Sequence, residues 1–219
     1  MENEEVFIKI NLDLLVKSSK PVIKKYPFFY EREIDMLNRF IVQTGEEVQE
    51  FIMEDYTDGN IDNKMDELVD IILYLCSIMA TLKYIYGVDY KFNTKNLKLF
   101  DIFENIPIDK FNGNTKYILT EYMDTNVSSI VYDLLFNKIR RHYPERKYHK
   151  IITAEGLKEK GINIKERSLD TYKYIGESIY ELLELTGEFQ FIYGEGKGSQ
   201  YFFNRLLKKL KKNYELNSK

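Results

Sequence analysis

The residues that make disulfide bonds and tight turns are scarce in this sequence. Its 219 residues include one cysteine, four prolines and eleven glycines. The single cysteine, Cys76, excludes an internal disulfide framework and any zinc site built from several thiolates. The shortage of proline and glycine disfavours sandwiches and barrels, which need many tight turns, and favours long uninterrupted elements. We therefore predict an all-α fold.

An excess of charge of either sign is also missing. The chain has 32 Lys and Arg against 35 Asp and Glu, which gives a formal net charge of -3. This balance argues against a broadly basic nucleic-acid coat and against an acidic tail protein, so we expect no nucleic-acid partner. With 44% hydrophobic residues, the chain can bury a substantial core, and disorder is not expected.

Export and membrane-spanning signals are not found either. The start, MENEEVFIKINLDLL, carries acids where a signal peptide would carry positive charge. The most apolar stretch, residues 69–82, contains Asp70 and is shorter than the roughly 20 apolar residues that a membrane span needs. We expect a cytosolic protein without a membrane partner.

Apolar residues recur at spacings of three and four over several stretches, as on one face of a helix. The spacing predicts a helix from about residue 31 to 52, with a break near Thr44 and Gly45. A second helix is predicted over about 63–86, with Gly87 as its C-terminal cap. The short polar turn between them predicts an antiparallel hairpin. Further helices are predicted over about 97–103, 116–143, 169–186 and 199–214.

These patterns divide the chain into a leading segment, 1–30, a central helical domain, 31–150, with an insertion around 88–115, and a C-terminal helical extension, 151–219. The extension contains GESIYELL (176–183), which matches GEEVQEFI (45–52) in its glycine, two glutamates and apolar positions. Two interpretations stay open. The extension is a degenerate repeat with Glu177 and Glu181 as relics, or two amphipathic helices are similar by chance.

Acidic residues stand where the apolar pattern predicts a core. Glu46, Glu47 and Glu50 form E-E-x-x-E, and Glu67 and Asp70 form E-x-x-D. Spacings of three and four put each set on one helix face, so an antiparallel hairpin can bring up to five carboxylates together. Each pair of like charges about 4 Å apart costs roughly 4 kcal/mol at an effective dielectric near 20, and a divalent cation removes that repulsion.

The donor set indicates which cation to expect. Carboxylate oxygens without histidine or thiolate suit a hard ion, Mg²⁺ or Mn²⁺. His142 and His149 are seven apart, without the E-x-x-H spacing of a di-iron bundle. A solvated acidic helix face is the alternative, and the helix dipole alone explains first-turn acids such as Asp66. It does not explain Asp70, whose neighbours are almost all apolar.

The run GEEVQEFIMEDYTDGNIDNKMDELVDIILYL resembles the MazG-like all-α nucleoside triphosphate pyrophosphohydrolases, whose hallmark is E-E-x-x-E followed by E-x-x-D leading into an apolar helix. The resemblance covers about residues 31–86. It implies a helical bundle of that type, here with additional C-terminal helices. It also implies Mg²⁺-dependent hydrolysis of an NTP or dNTP to nucleoside monophosphate and pyrophosphate, with Mn²⁺ as a substitute.

The resemblance also implies roles for individual residues. Glu47, Glu50, Glu67 and Asp70 are the expected metal ligands. Glu46 is the expected water-orienting base, so that the catalytic residues are those of E-E-x-x-E. FNKIRRHYP resembles a K-x-x-R-R-x-P segment that approaches substrate phosphates. The resemblance implies that a short basic run contacts the substrate. The alternative is a basic helix terminus whose charge complements the helix dipole. The residues of that run are Lys138, Arg140 and Arg141.

Related bundles usually complete their pocket with a second subunit, which implies a homodimer or higher homo-oligomer; the C-terminal extension can alternatively fill that role within one chain. The motifs that would indicate dUTP specificity are not found.

Two alternatives stay open for function. One is a non-catalytic helical protein that binds a nucleotide or a partner through the acidic site. The other is an enzyme on the same core with another substrate, such as a phosphoribosyl-nucleotide or an alarmone.

Overall fold

Helices make up most of the chain that the structure describes. The structure is a computed structural model, and it describes residues 7–25, 33–54, 61–98, 113–139, 164–189, 192 and 198–217. The prediction of an all-α fold is confirmed. The helices are α1 (Leu12–Ser18), α2 (Lys20–Lys25), α3 (Glu33–Met53), α4 (Ile61–Tyr84), α5 (Gly113–Tyr132), α6 (Ile164–Leu185) and α7 (Ser199–Asn217).

Four shorter elements lie among these helices in the described residues. Helix α5 continues as a π-helical segment, Asp133–Ile139, and α6 is followed by a 3₁₀ turn, Thr186–Glu188. Strands β1 (Phe7–Ile10) and β2 (Lys95–Lys98) form an antiparallel ribbon. Leu97 and Lys98 were part of the helix predicted over about 97–103, and that prediction is wrong for these two residues, because their backbone pairs with β1. Residues 99–103 lie outside the described residues.

Helix α4 is the central element of the fold. Its apolar residues face all sides, the pattern of a helix enclosed by others, and α1, α2, α3, α6 and α7 all pack against it. Leu68, Ile72 and Met79 are fully buried, and Cys76 is a buried core residue. The core includes Val16 of α1 and Phe202 of α7. The leading segment and the C-terminal extension therefore contribute to the same hydrophobic core as the central helices.

Helices α3 and α4 form an antiparallel hairpin. The Lys64 ammonium group near the start of α4 donates to the Phe51 carbonyl oxygen near the end of α3 at 2.9 Å. Helix α3 is continuous through Thr44 and Gly45, so the predicted break is wrong. An interior glycine costs only about 1 kcal/mol relative to alanine. The buried stripe of α3, which includes Val48 and Phe51, outweighs that cost.

Two glycines have clear structural reasons. Gly87, just beyond α4, has a φ of 71°, the left-handed conformation that favours glycine at a helix end. A Cβ atom at Gly176 on α6 would lie 2.1 Å from the Phe92 ring, so only glycine admits that ring. Gly45, its match in the suspected repeat, has nothing within 4 Å of the same position. Glu177 and Glu181 are exposed on α6.

None of the helices in the described residues is both long and apolar enough to cross a membrane.

Candidate metal centre

Three glutamates converge between the two helices of the α3–α4 hairpin. Glu47 and Glu50 lie one turn apart on α3, and the antiparallel α4 brings Glu67 opposite them. One carboxylate oxygen from each lies within 4.8 Å of the others. We call these three residues the carboxylate cluster. Glu67 and Glu47 are half-buried and Glu50 is exposed, so the cluster lies at the surface, open to solvent and ligands.

Two carboxyl groups of the cluster, those of Glu47 and Glu67, have raised pKa values. The pKa of Glu47 is raised from its ordinary 4.5 to about 8, first by burial, then by a hydrogen bond with Glu67 and by repulsion from nearby acids. Burial also raises the pKa of Glu67, and Glu50 and Asp70 add to that shift. The Glu47 and Glu67 carboxyls share a hydrogen bond, so their titrations are coupled. In the absence of a bound cation, the pair therefore retains a proton near neutral pH.

Asp70 lies beside the cluster but has a different partner. It follows Glu67 by three residues on α4, and its carboxylate forms an ion pair with the Lys209 ammonium group of α7. Burial raises the pKa of Asp70, and the hydrogen bond and charge of Lys209 oppose that shift. Asp70 therefore lies close enough to raise the pKa of Glu47, while one of its own oxygens is engaged by a lysine.

The other predicted site residues lie elsewhere. Glu46 is exposed on α3 and is not among the three residues of the carboxylate cluster. Lys138 is half-buried in the π-helical segment, and its ammonium group lies 4.9 Å from the centre of the Tyr174 ring of α6, a cation–π contact. Arg140 and Arg141 lie outside the described residues. Of the five predicted carboxylates, the structure brings together Glu47, Glu50 and Glu67 as close neighbours, with Asp70 adjacent.

Helix α7 covers a second row of acids on α4. The Arg205 guanidinium binds the Asp66 carboxylate through two nitrogens, with Nε at 3.0 Å from Oδ1. Its Nη2 also donates to the Asp62 carbonyl oxygen at 3.1 Å. The Tyr201 hydroxyl donates to the Asp62 carboxylate at 2.8 Å. We call Asp62, Asp66 and Asp70 the paired row.

Each pair in this row joins residues 139 apart, so α4 and α7 run parallel with matched turns. The sequence contains a signal for this contact. Aspartates recur every four residues in α4, and donors recur every four residues in α7. Apolar periodicity does not reveal the contact, because the two matched patterns are polar and lie in segments far apart in the chain.

A buried lysine holds the hairpin in place, and it was not among the residues predicted from the sequence. Lys64 is 1% exposed, and its ammonium group lies 2.8 Å from an Asp124 carboxylate oxygen of α5 as well as against the Phe51 carbonyl and ring. Burial lowers the pKa of Lys64 and raises that of Asp124, while their contact favours both charged forms. The pair ties α3, α4 and α5 together one turn from Glu67.

The donor set of the cluster fits a hard divalent cation. All its ligand atoms are carboxylate oxygens, and their mutual repulsion is the feature that a cation would relieve. Comparisons with protein-family models, with curated proteins and with solved structures find no match for this chain.

Proposed function

We propose that the protein is a metal-dependent nucleotide pyrophosphohydrolase, which cleaves an NTP or dNTP to nucleoside monophosphate and pyrophosphate. The observation that carries the proposal is the carboxylate cluster: three glutamates from two facing helices, with the pKa of Glu47 raised to about 8. Acids at E-E-x-x-E and E-x-x-D spacing on paired helices are the pattern on which the resemblance rests. The proposal includes a cytosolic location and a homodimer or higher homo-oligomer.

In this proposal Glu47, Glu50 and Glu67 would hold Mg²⁺, or Mn²⁺ in its place. When bound, such an ion neutralises phosphate oxygens and lowers the pKa of a water molecule. Glu46 is exposed beside Glu47 and is the proposed acceptor of the proton from the attacking water. That water attacks the α-phosphorus, and the bond to the bridging oxygen breaks to release pyrophosphate.

Substrate phosphates need positive partners as well as a metal. Lys138, Arg140 and Arg141 stay the proposed contacts of the basic run. The Lys138 ammonium group already contacts the Tyr174 ring of α6. A phosphate bound by Lys138 would therefore have to approach the π-helical segment and α6 together.

A substrate screen tests the proposal. The purified chain is incubated with a panel of NTPs and dNTPs in Mg²⁺ or Mn²⁺, and pyrophosphate and phosphate are measured separately. We expect pyrophosphate from at least one nucleotide, and loss of that activity in Glu47→Ala. Glu121→Ala is the matched control, because Glu121 is an exposed acid on α5.

Two outcomes would contradict the proposal. The first is full activity in Glu47→Ala. The second is the absence of pyrophosphate with every nucleotide and both metals. If calorimetry then measures nucleotide binding without product, the non-catalytic alternative holds instead.

A further inference from the structure

We infer that Lys209 is a built-in cation of the acidic site: its ammonium group takes the position of a second divalent ion beside Asp70, so that the site binds a single divalent ion through the carboxylate cluster. The inference rests on the proposed function, because it assumes that the cluster binds metal. It goes further by assigning the number of ions and the residue that sets it.

The geometry separates the acids into two parts. One oxygen from each of Glu47, Glu50 and Glu67 lies within 4.8 Å of the others, close enough for small side-chain movements to bring all three onto a single ion. Asp70 follows Glu67 by one helical turn, so both point to the same side of α4. In two-metal sites the ions lie about 3.5–4 Å apart. A second ion would therefore need Asp70, and one oxygen of Asp70 already contacts the Lys209 ammonium group.

The fold holds Lys209 in this position. Leu206 and Leu210 are buried on either side of it along α7, and the Arg205 guanidinium binds Asp66 one turn earlier. Neighbouring Lys208 is exposed, whereas the Lys209 side chain is 31% exposed and the Asp70 side chain 23%. Lys209 is thus the member of the basic stretch 208–212 that packs onto the acidic site. Its backbone position is set by helix packing rather than by the ion pair alone.

The charge balance points the same way. Glu47, Glu50, Glu67 and Asp70 carry four negative charges when all are ionised. One divalent ion and Lys209 supply three positive charges at the same place. A lysine ammonium is a compact charge with three donors, so it can hold an aspartate as a metal ion would. Removal of Lys209 leaves the Asp70 carboxylate available to bind a second divalent ion beside the first.

Metal stoichiometry tests this inference without any measurement of catalysis. Chelator-stripped protein is titrated with Mn²⁺, and free and bound Mn²⁺ are measured by electron paramagnetic resonance. We expect one Mn²⁺ per chain for the wild type, and two for Lys209→Met with a spin-coupled signal. Lys208→Met, the exposed neighbour, should bind one. Lys209→Arg keeps the charge and should also bind one.

Two further variants make the result decisive. Asp70→Asn should still bind one ion, and Lys209→Met with Asp70→Asn should return from two ions to one. Circular dichroism checks that each variant is folded, and a Lys209→Met protein that does not fold is replaced by Lys209→Gln with the same expectation. One ion in the folded Lys209 variant, or two in the wild type, overturns the inference alone. No ion in the wild type overturns the proposed function with it.

Discussion

Helix α4 carries acids in two different electrostatic settings. In the paired row each aspartate meets a donor from α7: a hydroxyl, a guanidinium or an ammonium group. In the carboxylate cluster Glu67 faces Glu47 and Glu50, which are themselves acids. The fold explains the paired row, because partners are supplied where the charges lie. It does not explain the cluster, which raises the pKa of Glu47 to about 8 and gains nothing in stability.

The two settings meet at Asp70. It belongs to the paired row through Lys209, and it also acts on Glu47 and Glu67 through space. The contrast teaches that an acidic residue on this helix must be judged by its neighbours rather than by its spacing. The aspartates of the paired row have partners that account for their charge, whereas the acids of the carboxylate cluster face one another and share a proton.

The test with the largest expected effect replaces a carboxylate by the matching amide at two adjacent residues of α4, one in the carboxylate cluster and one in the paired row. Under the proposed function, Glu67→Gln should lower kcat/KM for pyrophosphate release by about 100-fold or more, because a proposed metal ligand is lost. Asp66→Asn should change it by less than about threefold, since Asp66 is held by Arg205 outside the cluster. Steady-state kinetics at saturating Mg²⁺ measure both. An equal loss of kcat/KM in the two variants would contradict the distinction between the carboxylate cluster and the paired row.

The second test uses pH in the absence of divalent ions. The folded protein holds the Glu47 proton with a pKa of about 8, against an ordinary 4.5. Below about pH 4.5 the Glu47 carboxyl is protonated in both the folded and the unfolded chain, so its ionisation does not lower the free energy of unfolding. Between 4.5 and 8 the unfolded chain loses the proton first, so the free energy of unfolding falls as pH rises. Solvent screening of this partly exposed group limits the fall to about 1–2 kcal/mol.

Urea unfolding in a chelating buffer from pH 5 to 8.5 measures this effect. Glu47→Gln cannot ionise at this position and should give a flatter profile. Saturating Mg²⁺ should restore stability at pH 8, because an ion bound only by the folded state adds to its stability. An equal slope in the wild type and in Glu47→Gln would contradict the raised pKa.

The sequence predicted the features that depend on local spacing. Runs of apolar residues every three or four positions indicated the α3–α4 hairpin, and the same periodicity set Glu47, Glu50 and Glu67 on the helix faces that meet. Gly87 was predicted as a cap from its position after an apolar run, and its φ of 71° is the conformation that such a cap uses. These features follow from the geometry of a single helix or of two joined by a short turn.

The features that the sequence did not predict depend on contacts between distant segments. Lys64 is a polar residue at the start of a helix, and only the packing of α5 against the hairpin makes it a buried partner of Asp124. Lys209 meets Asp70 because α7 lies parallel to α4 across a separation of 139 residues. Strand β2 forms because β1 supplies its backbone partners. Spacing within one segment carries no information about which other segment lies beside it.

The smallest expected effect concerns the paired row itself. Arg205→Met keeps most of the side-chain volume and removes the charge that binds Asp66. Both side chains are partly exposed, at 24% and 39%, so the loss in the free energy of unfolding should be below about 1 kcal/mol. A double-mutant cycle with Asp66→Asn, measured by urea unfolding, isolates the pair energy. A coupling well above 1 kcal/mol would mean that the row holds α7 in place by charge. In that case Arg205→Met would also displace Lys209, and the variant would bind a second Mn²⁺ although Lys209 is still present.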